Sequence, residues 1–65
     1  MSGPDPKHEL VAHRLMRHLR SYAVGLGLGE AITWQIINCV IADLPDANDV
    51  DRQAEARHRM LQAAL

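Results

Sequence analysis

Cysteine is almost missing from this chain. Cys39 stands alone, so no internal disulfide can staple the fold. A lone thiol inside an apolar run reads as a small buried side chain, and its use suits a reducing cytoplasm. A membrane-directed segment is missing too. The N-terminal residues MSGPDPKHE have no apolar core behind a basic stretch, so they do not read as a secretory signal. The longest apolar run, EAITWQIINCVIADL from Glu30 to Leu44, is too short to span a bilayer comfortably and has Glu30 and Asp43 at its ends. No strand-like alternation and no internal repeat is present. An excess of one charge is also lacking: the net charge is −1, which argues against attraction of the whole domain to a polyanion. The distribution is uneven, however. Residues 1–22 set Lys7, Arg14, Arg17 and Arg20 against Asp5 and Glu9, while residues 23–65 set six acids against three arginines. Opposite ends of this kind can attract each other between copies or steer a charged partner.

With 65 residues there is room for one domain, and a chain of that size buries only roughly 60% of its surface and is marginal unless stapled or oligomeric. The punctuation predicts three helices, over about residues 6–24, 30–44 and 47–64. Asp5-Pro6 makes a favourable N-cap and first helical position. In the first helix Val11, Ala12, Leu15, Met16, Leu19, Tyr22 and Ala23 share one face. His13, Arg14, Arg17, Arg20 and Ser21 occupy the other, a clean amphipathic pattern. Gly25-Leu26-Gly27-Leu28-Gly29 ends it, because glycines at that density cost a helix interior too much entropy. Pro45 ends the second helix, and Asp46, Asn48, Asp49 and Asp51 supply caps and first-turn acids for the third. Along the third, Val50, Ala54, Leu61, Ala64 and Leu65 form the expected apolar stripe, flanked by Met60. The fold class is therefore all-α: an αα-hairpin followed by a C-terminal helix.

The second helix is apolar on almost every side. At about 100° per residue, Trp34, Ile37, Val40, Ile41 and Leu44 form one broad face, and Ile32, Ile36 and Cys39 cover much of the opposite one. A helix hydrophobic all round seeks cover all round, and two short helices scarcely provide it. The expectation is completion by oligomerisation or by a partner protein, with Trp34, Ile36, Ile37, Val40, Ile41, Arg57 and Leu61 at the interface. Arg57 interrupts the third stripe. It reads as a snorkelling side chain, as an arginine paired with a carboxylate across a subunit boundary, or as a group meeting a ligand anion.

Sites for chemistry are scarce. His8, His13 and His18 recur every five residues, a spacing that turns each imidazole about 140° from the last and misses the i, i+4 pairing of helical metal ligands. The aspartates around Asp46 fail the calcium-loop pattern, which requires a glycine at its sixth position where Asp51 stands. The glycine run has no phosphate-loop lysine and no preceding strand. Neither a catalytic set nor a metal or cofactor site can be assembled, so an enzyme is the least favoured class. Leu19 to Asn38 can be drawn as a helix-turn-helix, but its recognition helix would contain no Lys or Arg. Phosphate contacts would have to come from His13, Arg14, Arg17 and Arg20 on the first helix. The preferred reading is a cytoplasmic protein-binding regulator, adaptor or inhibitor, self-associating as a homodimer and contacting another protein. A DNA- or RNA-binding regulator using the arginine face is the alternative, and a structural subunit of a larger assembly the third.

Overall fold

In a computed structural model that describes residues 6–65, α1 spans Pro6–Gly25, α2 Glu30–Asp43 and α3 Asp49–Ala64. The expected cap Asp5 lies outside the described residues. Among those described there is no strand, and each helix packs on the other two. The amphipathic pattern of α1 places its apolar side inward: Ala12, Leu15, Met16, Leu19 and Ala23 are buried, with Val11 and Tyr22 half-buried beside them. The polar residues of the opposite face, from His13 to Ser21, remain exposed.

The reversal after α1 has a specific geometry. Leu28 N–H donates to Ala23 O and Gly27 N–H to Val24 O, both at 3.0 Å. Gly27 takes a left-handed conformation, φ 77°. This pairing of bonds closes a Schellman cap, which satisfies the last carbonyls of α1 and folds Leu28 back onto the core. Helix α2 then returns antiparallel to α1. His8 meets Asn38, His13 meets Trp34, and Arg20 meets Glu30, so numbers rise on one helix as they fall on the other. At the start of α2, where Gly29 offers no side-chain cap, the buried Thr33 hydroxyl donates back to Gly29 O at 2.9 Å. Helix α3 begins from Asn48, whose Oδ1 accepts the Asp51 N–H at 2.8 Å. Asp49 is not part of this cap and turns toward α1.

As expected of two short neighbours, α1 and α3 cover only one side of α2: Thr33, Ile37, Val40 and Ile41 are buried, whereas Ile32 is 48% exposed, and Gln35 and Ala42 are exposed with it. Two expectations change. The first is Cys39, which lies on this outer side and is exposed, not buried. The second change concerns α3. Its core side carries Arg52, Ala56 and Met60, and the expected stripe of Val50, Ala54, Leu61, Ala64 and Leu65 faces outward. The small Ala56 lets α3 approach closely, and the unbranched Met60, fully buried, adapts to the space left between α1 and α2.

Candidate interaction surface

The residues expected at an interface divide into three groups. Ile37, Val40 and Ile41 belong to the core of the single chain, because α2 presents them to α1 and α3. They hold the bundle together and are not surface residues. Trp34 and Ile36 are half-buried, packed against the core and open on one side. Arg57 and Leu61 are exposed, with Leu61 at 46%. The Trp34 and His13 rings meet in a T-shaped arrangement, with centroids 5.2 Å apart and planes at 74°. His8 Nε2 donates to Asn38 Oδ1 at 2.9 Å nearby, so these polar side chains tie α1 to α2.

The cationic face of α1 is partly neutralised. Asp49 accepts from Arg14 Nε at 2.9 Å and from Arg14 Nη2 at 3.3 Å. This bidentate pairing, assisted by the charges of Arg14, Arg52 and His18 and opposed by desolvation, holds the Asp49 carboxyl below its ordinary range. The same bond raises Arg14 above its usual value. Arg20 lies 3.7 Å from Glu30, both well exposed, a distance at which a surface ion pair contributes little. His13 leans on Trp34, and Arg17 points outward from the exposed side of α1.

Arg52 was not legible as a structural residue. It is 8% exposed and donates from Nε to Leu44 O at 3.0 Å and from Nη2 to Pro45 O at 2.7 Å. Those carbonyls close the end of α2, and cations there also suit the negative end of the helix dipole. Arg59 performs a neighbouring task, bridging Glu55 at 2.8 Å and Asp43 at 2.9 Å. The Glu55 bond, then the Asp43 bond, raises its guanidinium above the usual value. One cue to Arg52 was present: it stands at i−4 from Ala56, on the one line that also meets Met60.

Besides Leu10 and Val24 on the outer side of α1, which are exposed, two apolar strips remain toward solvent. The first is the outer side of α2, with Ile32, Ile36 and Cys39. The second is the outer side of α3, with Val50 at 71%, Leu61 at 46% and Leu65 at 99% exposure. Among the described residues no group of His, Cys, Asp and Glu could hold a metal ion, and no helix is long and apolar enough to cross a membrane. No protein-family model, curated protein or solved structure matches the chain.

Proposed function

We propose that the chain works by binding protein, as a small regulator, adaptor or inhibitor that is itself a homodimer. The outer side of α2 carries this reading. Ile32 is about half exposed, Gln35, Cys39 and Ala42 lie around it, and no Lys, Arg, Asp or Glu occurs between Glu30 and Asp43. A surface helix ordinarily turns charge toward water. An uncharged strip of this kind suits a partner's helix or groove. The nucleic-acid alternative is weakened because Arg14, one of the three arginines of that face, is paired with Asp49. A structural subunit would use the same strip, with a permanent contact in place of a reversible one.

The exposed Cys39 thiol offers a direct test. A photo-crosslinker attached there, irradiated in extract of cells that make the chain, should give a protein adduct of one discrete mass. Excess unlabelled chain should compete it away. Ile32→Asp should abolish the adduct while leaving thermal melting almost unchanged, since Ile32 is outside the core. Salt-sensitive retention on duplex DNA or RNA, lost in Arg17→Gln, with no protein adduct would overturn the reading.

A further inference from the structure

We propose that the end of the bundle where α1 and α3 begin and α2 stops binds a small aliphatic carboxylate. Such binding is independent of the protein contacts proposed above. A groove of about 350 Å³ lies there, at the lower end of the range for small-molecule sites. Val11, Ile41 and Pro45 give it apolar walls, and Lys7 and Arg52 add two cations. Among the described residues no Asp or Glu lines it. His8 also borders the groove, with Nε2 engaged by Asn38. That combination defines the ligand. Apolar walls select an aliphatic body, and two cations without a carboxylate select an anionic head.

Arg52 distinguishes this groove from an ordinary charged rim. The side chain is 8% exposed, and its bonds from Nε to Leu44 O and from Nη2 to Pro45 O fix the plane of the guanidinium. Nη1 is differently placed. Its nearest carboxylate oxygen among the described residues, on Asp49, stands 3.8 Å away, beyond hydrogen-bond distance. Asp49 is itself committed to Arg14 by two bonds. No buried side-chain nitrogen or oxygen among the described residues lacks a partner, so Nη1 keeps access to solvent and a ligand can reach it. A carboxylate oxygen in the groove supplies the missing acceptor. Beside a largely desolvated guanidinium that bond is stronger than a surface pair. The helix termini act in the same direction. The starts of α1 and α3 bring two positive dipole ends to this end of the bundle, while Arg52 answers the negative end of α2.

Two-dimensional NMR of the full chain, titrated with sodium octanoate at neutral pH, tests the site. Saturable shifts are expected, with Kd about 1 mM or tighter, strongest at the Val11, Ile41 and Ala42 amides and at the Arg52 Nε–H. Octylammonium and acetate should each bind at least about tenfold more weakly, since one lacks the anion and the other the chain. Lys7→Glu should weaken octanoate about tenfold or more, because it places a carboxylate in the lining. Ala42→Trp fills the groove from an exposed position. It should abolish the localised shifts while thermal melting stays close to that of the wild type. Should that variant melt early, the position of the wild-type shifts and the effect of Lys7→Glu decide. Equal binding of octanoate and octylammonium would reduce the groove to an unselective apolar surface and overturn the proposal. Shifts centred on Ile32 and Cys39, or no saturation at millimolar concentrations, would overturn it as well.

Discussion

Arg52 shows how one side chain fastens the start of α3 to the end of α2. It is 8% exposed, its guanidinium closes the carbonyls of Leu44 and Pro45, and Nη1 stands 3.8 Å from Asp49. Truncation leaves the carbonyls short of a donor and opens space beneath α3. Arg52→Ala should cost about 2–4 kcal/mol, read as a lower urea midpoint. Arg52→Lys should recover only part of that, because an ammonium cannot reproduce a planar fork of donors. Asp49 makes a different contribution. Its carboxyl is held below the ordinary range when folded, so the stability it adds is complete above the unfolded value of about 4 and is lost as pH falls through the lower folded value. Melting temperatures of the wild type and Asp49→Asn should differ most above about pH 5 and converge below it. Because Arg14 is half exposed, high salt should narrow the gap as well.

At the scale of the element, the helices are set by punctuation as much as by periodicity. The glycines after α1 are not equivalent. Gly27 has φ 77°, a region that a Cβ disfavours, whereas Gly25 is helical and a Cβ there meets nothing within 4 Å. Gly27→Ala should destabilise by about 1–2 kcal/mol. Gly25→Ala should be neutral or stabilising by up to about 1 kcal/mol. Opposite shifts in thermal midpoint would verify that the turn is a left-handed cap and not simply a flexible hinge. The inward side of α1 was legible because, apart from the exposed Leu10 and Val24, charge lies on one side and apolar residues on the other, which leaves it a single way to face. Helix α2 is apolar on both sides and has no such preference. Its inner side, Ile37 and Val40, is chosen by where α1 and α3 lie.

For the whole molecule, stability of order 5 kcal/mol is expected at this size, so one core residue can decide folding. Ile37 is 0% exposed, and Ile37→Ala should cost roughly 2–5 kcal/mol. Val50, at 71% exposure, should change stability by no more than about 0.5 kcal/mol when replaced by Ala under dilute, monomeric conditions. Both are β-branched aliphatic residues, and equal losses on denaturation would mean that the inner and outer faces have been exchanged. The same accounting limits the cationic face of α1. Replacing Arg14, Arg17 and Arg20 together would disturb the Asp49 and Glu30 pairs as well as any anionic partner, so Arg17→Gln is the cleaner probe of that surface.

By itself the sequence determined the helical class, the number of helices, their ends to within a few residues, and the inward side of α1. These follow from local chemistry: proline geometry, glycine entropy, side-chain caps and a one-sided apolar pattern. Tertiary structure alone decided which side of α3 turns inward, where Cys39 lies, and that Arg52 is buried. Periodicity states which residues share a side of a helix, not which side meets the core. Val50, Ala54 and Leu61 make a more apolar line than Ala56 and Met60, and on pattern alone they are the better core. In the structure the other side turns inward, where Arg52 reaches the carbonyls of Leu44 and Pro45 and Asp49 meets Arg14. Neither the return of the chain after Pro45 nor the α1–α3 pairing, 35 residues apart at Arg14 and Asp49, is encoded in the hydrophobic pattern of α3. The packed arrangement, not the local pattern, sets the facing of that helix, and its apolar stripe meets water.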